Sequence, residues 1–315
     1  IANMEDLLYD LETDTQGNVF VTGSSESPAG DKDILTLRLN SNTFLKDWEA
    51  SYNHLGFDDI GTSIELDDFG NPIVGGGSSA SMIDRDFFLI KYDGFSGALI
   101  SSHRVATTPN GLDIGTHLIK HNCDFILAGT AVDSLANSYD FKIVKVAPDL
   151  SFIDRRVFDG NGDYDELRDI IVSDSAVYLT GYSKVSNEVS EIFLVSLDPS
   201  LTENWTWTQA PVYDEGKAEG LTLEVSDTFV FVGARITDDN VEFENSLYKL
   251  TQSGKHMFKK SRKSSASSHN PMDGISSIFV KDQTIYTLGS IRDNSTQKLT
   301  LSKYEHFDYD PSPVN

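Results

Sequence analysis

The sequence predicts an all-β fold of repeated four-stranded antiparallel sheets, and three observations carry that expectation. The first is an apolar strand that ends in glycine: Val19-Phe20-Val21-Thr22-Gly23 returns in related form before Gly76, Gly129, Gly181, Gly233 and Gly289, with 52 to 56 residues between successive glycines. The second is a row of apolar residues in register, Leu11, Ile64, Leu118, Ile170, Leu223 and Ile278, each five places after the start of another strand-like segment. The third is that no stretch follows a helical period, which disfavours layered α/β folds. A fixed period of this size that fills the chain means a repeat architecture.

Taken in order, each repeat supplies four strands, a to d. Strand a opens at Asp6, Asp59, Asp113, Asp165, Ala218 and Asp273, with alternating apolar positions after it. Strand b is the glycine strand. Strand c is expected over Ile34 to Leu39, Phe87 to Tyr92, Phe141 to Val146, Ile192 to Leu197, Leu247 to Leu250 and Leu299 to Tyr304. Strand d follows a turn such as Asp93-Gly94 or Ser253-Gly254 and covers Phe44 to Tyr52, Leu99 to Val105, Phe152 to Phe158, Trp205 to Val212 and His256 to Lys260. A four-stranded unit of this length cannot bury both faces alone, so it stacks on its neighbours around an axis as a β-propeller blade. The expectation is one domain over residues 1–315, a six-bladed β-propeller of four-stranded antiparallel blades; the alternative is part of a seven-bladed propeller.

The segment Asp59-Ile60-Gly61-Thr62-Ser63-Ile64-Glu65-Leu66-Asp67-Asp68-Phe69-Gly70-Asn71, with the strand ending at Gly76, resembles the secreted bacterial β-propeller repeats of the SBBP type. The resemblance extends over nearly the whole chain and is weaker at Ala218, which replaces the opening aspartate. It implies a scaffold and an extracellular, periplasmic or cell-surface location. It implies no particular chemistry. Repeats of that family are usually grouped in sevens, whereas six are counted here. A sixth d strand is expected from the tail Glu305 to Asn315 through Phe307 and Tyr309, with Pro311 and Pro313 confining it to an edge.

Composition narrows the partners. With 25 basic and 49 acidic side chains the net charge is −24, which repels nucleic acid and anionic membranes. No apolar run reaches the length that spans a bilayer, so membrane insertion is not expected. Cys123 is the only cysteine, which excludes an intrachain disulfide.

Candidate site residues fall in four groups. The d-to-a loops, on the face where related propellers bind ligands, supply Tyr52, His54, Asn110, Tyr213, Asp214 and His269 as ligand-binding candidates. The structural alternative is that such loop residues bond their own turns. Asp159, Asn161 and Asp163 resemble the start of a calcium loop, but Tyr164 and Ile170 stand where that loop needs glycine and glutamate. Calcium is the one ion suggested, and no motif requires a cofactor. Asp10, Ser63, His117, Asp169, Thr222 and Ser277 form a polar set facing a central channel, as channel ligands or as a hydrogen-bonded layer between blades. Lys255 to Lys263 is a basic outer strand, read as protection against edge pairing or as a surface for self-association. Trp48, Trp205 and Trp207 lie in d strands and are expected to pack between blades.

No nucleophile elbow, zinc-protease helix, paired cysteine motif or phosphate loop is present. The leading functional expectation is a secreted or surface propeller acting as a non-catalytic binding module for a protein or glycan. The alternatives are a carbohydrate-active hydrolase or lyase with its site on the d-to-a face, and a structural subunit of an extracellular assembly.

Overall fold

The computed structural model describes residues 5–105, 111–133, 138–160, 164–186, 189–211, 216–238, 242–263, 274–282, 284–293 and 296–304. All regular structure among them is β-strand. Two compact units make up the chain, Ile1–Asp159 and Gly160–Asn315.

The first unit holds three four-stranded antiparallel meanders. They are β1 (Asp6–Thr13), β2 (Val19–Glu26), β3 (Lys32–Leu39) and β4 (Lys46–Tyr52); β5 (Asp59–Leu66), β6 (Pro72–Ser81), β7 (Asp84–Tyr92) and β8 (Leu99–Val105); and β9 (Ile114–His121), β10 (Asp124–Asp133), β11 (Ser138–Val146) and β12 (Phe152–Phe158). The second unit holds β13 (Asp165–Val172), β14 (Val177–Lys184), β15 (Ser190–Leu197) and β16 (Glu203–Gln209), then β17 (Gly216–Val225), β18 (Phe229–Asp238), β19 (Glu242–Thr251) and β20 (His256–Lys263). One parallel bridge, Ser190 to Lys217, joins these two meanders. A three-stranded sheet follows, with β21 (Gly274–Lys281), β22 (Thr284–Asp293) and β23 (Thr296–Tyr304). The expected sixth d strand, with Phe307 and Tyr309, lies outside the described residues.

The expected and observed strands agree residue for residue at β8 and β12. They differ at β16, which runs Glu203–Gln209 where Trp205 to Val212 was expected; Pro211 has no N–H to extend the ladder. A second difference concerns the repeated glycine, which stands inside strand b and does not end it. Strand a, the inner strand of each repeat, carries a β-bulge, at Tyr9, Thr62, Thr116, Arg168, Leu221 and Ser276, each of which the register skips. At the bulge the inner strand leans onto strand b. A Cβ on Gly23 would lie 1.8 Å from the carbonyl oxygen of Leu7, and one on Gly76 1.9 Å from that of Ile60. Only glycine admits that approach.

Packing between successive sheets forms the core of each unit. In the first, Phe20, Ile34 and Trp48 of one meander meet Ile64, Val74, Phe88, Ile90 and Tyr92 of the next. Phe87 and Leu89 then meet Leu118, Phe125 and Leu127. In the second, Tyr178, Ile192 and Leu194 meet Leu223, Val230 and Val232, and Phe231 and Leu247 meet Ile275, Ile278 and Ile285. Each such side chain contributes about 1.5–3 kcal/mol on burial. Of the in-register apolar row, Ile64, Leu118, Ile170, Leu223 and Ile278 are buried, but Leu11 is 59% exposed.

Three members of the polar set beside that row, Asp10, Ser63 and Asp169, fasten neighbouring sheets. The Asp10 carboxylate accepts from Ser63 Oγ and from the Ile64 amide, both at 2.9 Å, and Asp169 accepts from the Leu223 amide at 2.6 Å. Ser63 Oγ also lies 3.4 Å from the Leu118 carbonyl. His117 Nδ1 lies 2.9 Å from Thr116 Oγ1. The bulge sets Asp10 and Asp169 at the start of the resumed ladder, in reach of the next inner strand.

Candidate binding site

The a-to-b and c-to-d turns of the first unit build the site. β1 and β2 are joined by Asp14-Thr15-Gln16-Gly17-Asn18, and β5 and β6 by Asp67-Asp68-Phe69-Gly70-Asn71. Asp14 Oδ1 accepts the amides of Gln16 and Asn18, both at 2.9 Å, and Asp67 Oδ1 accepts those of Phe69 and Asn71 at 2.8 and 2.9 Å. Gly17 and Gly70 take φ of +79° and +78°, which closes each turn in the left-handed region. The terminal asparagine then reaches the c-to-d turn of its own sheet. Asn18 Oδ1 accepts the Ser41 amide and Asn71 Oδ1 accepts the Gly94 amide, each at 3.0 Å.

This bracing leaves the middle residue of each turn outside the fold. Phe69 is 88% exposed, and Phe95, in the c-to-d turn that Asp93 closes by accepting the Ser96 amide at 2.8 Å, is 84% exposed. With Gln16, Arg38, Asp67 and Lys120 they line a cleft of about 620 Å³. An adjoining cavity of about 680 Å³, lined also by Asn40, Asn42 and Trp48, shares Gln16, Arg38 and Phe95 with it.

The charges of the cleft are already engaged. Arg38 pairs with Asp47 at 3.0 Å, Lys120 with Asp68 at 2.6 Å, and Lys91 with Asp67 at 2.8 Å. Burial pushes the Asp14 carboxyl up, but the hydrogen bonds from Asn18 and Gln16 outweigh it and hold the group below its ordinary value. Asp67 behaves likewise, with Lys91 and Asn71 opposing its burial. The Ser96 side chain and amide lower Asp93. These carboxyls are therefore held as anions at neutral pH, unsuited to donating a proton. Glu65, just outside the cleft, differs. Burial raises its carboxyl to about 7, and the nearby Glu12 and Asp10 add to the rise against the bond from the Lys120 amide.

The d-to-a candidates have other surroundings. The Tyr52 ring stacks on Phe88 at 5.0 Å, between sheets. The His54 amide donates to Asp59, a buried strand-opening aspartate, and the Gly160 amide donates to Asp165 in the same way. Asn110, Tyr213, Asp214 and His269 lie outside the described residues, as do Asn161 and Asp163; Asp159 is described and exposed. Trp48 is buried, while Trp205 and Trp207 are partly buried against neighbouring core residues. In the basic outer strand Lys259 pairs with Glu244, and Lys260, Arg262 and Lys263 are exposed. Sequence reasoning missed Phe69, Phe95, Gln16 and Arg38. The available signal was a phenylalanine in the middle of two polar turns, Asp-Asp-Phe-Gly and Asp-Gly-Phe-Ser.

No family model and no curated protein matches the chain. Among solved structures it is similar to the quinohemoprotein alcohol dehydrogenase of Comamonas testosteroni, with a TM-score of 0.54, 10% identity, and coverage of 93% of this chain and 59% of that one. It is similar also to a puromycin-hydrolyzing peptidase of Mycobacterium tuberculosis, with a TM-score of 0.54, 8% identity, and coverage of 96% and 44%. The chain thus spans less than two thirds of either protein. At these identities the likeness concerns the fold alone, and the fold is that of β-propeller-type proteins.

Proposed function

We propose that the chain is a non-catalytic binding module of six-bladed propeller architecture, acting outside the cell or at its surface, and that it binds through the cleft of the first unit. Five four-stranded meanders and a three-stranded sheet, following one another at one sequence period, support the blade count. The acidic composition and the resemblance to secreted repeats support the location. The observation that carries the function is the pairing of Phe69 and Phe95, both held out by hydrogen-bonded turns, with a cleft whose carboxylates are occupied in bracing those turns. Exposed apolar rings on a rigid frame lose little conformational freedom on binding.

The test is a thermal-shift screen of the full chain against libraries of glycans, peptides and nucleotides. The reading expects a ligand that raises the Tm of the parent protein, fails to raise that of Phe69→Ala/Phe95→Ala, and is recovered chemically unchanged. Conversion of the ligand, or an equal shift in the double variant, would overturn it.

A further inference from the structure

We infer that the ligand of this cleft is a neutral polysaccharide; the inference rests on the reading of the cleft as the binding surface. Charge supplies the first argument. The cations Arg38 and Lys120 are spent in ion pairs with Asp47 and Asp68, and Asp14 and Asp93 add negative charge on a chain of net charge −24. An anionic polymer would meet repulsion without an unpaired cation to offset it.

The backbone supplies the second. The turns around the cleft pair their own main-chain groups: Gly17 N with Asp14 O at 2.9 Å, Gly70 N with Asp67 O at 3.0 Å, and Gly97 N with Asp93 O at 2.9 Å. An extended peptide binds best where it adds a strand to an open ladder, and these turns present none.

What the cleft does offer suits sugar rings. The flat faces of Phe69 and Phe95 can receive the C–H faces of pyranoses, which desolvates both without ordering a floppy side chain. The side-chain amides of Gln16 and Asn42 are exposed and hydrogen-bonded to no described residue, so each has donors and an acceptor for ring hydroxyls. The two cavities are of small-ligand size and share Gln16, Arg38 and Phe95, so a polymer can run from one into the other.

The test is native affinity electrophoresis of the full chain through gels containing hydroxyethylcellulose, galactomannan or a soluble β-1,3-glucan, with polygalacturonate as the anionic counterpart. At least one neutral gel should retard the chain, with the apparent Kd weakened about tenfold or more in Phe69→Ala and in Phe95→Ala and retardation lost in the double variant. The Tm of these variants should match the parent, and Phe95→Trp should retain binding. Retardation in none of the neutral gels, in polygalacturonate alone, or equally in the double variant overturns the inference. A peptide array bound by the parent and not by Phe69→Ala/Phe95→Ala would also overturn it while leaving the cleft a binding surface. Loss of neither glycan nor peptide binding in the double variant would remove both readings.

Discussion

The indole nitrogen of Trp48 donates to the carbonyl oxygen of Gly94 at 3.1 Å, tying strand d of one sheet to the c-to-d turn of the next. Trp205 repeats the bond to Gln252 at 2.9 Å in the second unit. Against each ring lies a glycine in the left-handed region, Gly97 at φ +71° and Gly254 at +83°, and a Cβ there would lie 2.7 and 2.6 Å from the indole. The tryptophans are therefore structural fasteners.

Gly97→Ala is expected to lose about 2–4 kcal/mol of stability, because it combines a positive φ with a steric clash. Trp48→Phe, which loses the hydrogen bond and part of the ring, should cost about 1–3 kcal/mol. Urea unfolding measures both. A loss below about 0.5 kcal/mol for Gly97→Ala would contradict the packing described.

Asp113 and Lys142 form an ion pair at 2.9 Å with side chains 0% and 1% exposed. Burial pulls the Lys142 ammonium down, and Asp113 restores part of the shift. Removing the acid alone strands a buried cation, so Asp113→Ala should cost about 3–5 kcal/mol. Asp113→Ala/Lys142→Met should be more stable than Asp113→Ala. The two denaturation curves decide this, and a double variant weaker than the single one would refute it.

Glu65 sets a pH dependence. Its folded value, raised by burial to about 7 from 4.5, means that the folded chain binds more protons than the unfolded chain between those values. Its contribution is most favourable below about pH 4.5 and declines as the pH rises through about 7. Glu65→Gln keeps an acceptor for the Lys120 amide, 3.3 Å away, and should remove a decline of about 1–3 kcal/mol between about pH 5 and 8. Matched stability curves over that range that do not differ in slope would count against the assignment.

Asp10 and Asp6 stand on one strand with different duties. Asp10 bonds two groups of the next sheet, while Asp6 is exposed and, among the described residues, accepts only from Ser25 Oγ at 2.6 Å. Asp10→Ala should cost about 1–3 kcal/mol, and Asp6→Ala within about 0.5 kcal/mol of nothing. Equal costs by chemical denaturation would contradict the fastening role.

The repeats were legible because strands a to d recur with fixed offsets, and apolar alternation encodes which face is buried. Ile64 and Leu118 show this directly. The bulge was not legible, since no residue type is peculiar to Tyr9, Thr62 or Arg168, and its trace is the glycine on the partner strand. The roles of Asp10 and Ser63 were readable only as alternatives, because a polar side chain beside an inner strand can face a channel or a neighbour. The cleft was missed for another reason. Phe69 and Phe95 are far apart in sequence, and what joins them is the reach of Asn71 from one turn to the next.

Fluorine NMR of the full chain labelled with fluorophenylalanine, with Phe69 and Phe95 assigned through Phe69→Leu and Phe95→Leu, tests the binding cleft most directly. On titration with cellohexaose and mannohexaose, these two resonances should move with at least one sugar, while those of the buried Phe87 and Phe125, which line neither cavity, stay fixed. Resonances of Phe69 and Phe95 that remain still at saturation with both sugars, or shifts confined to other phenylalanines, would contradict the account.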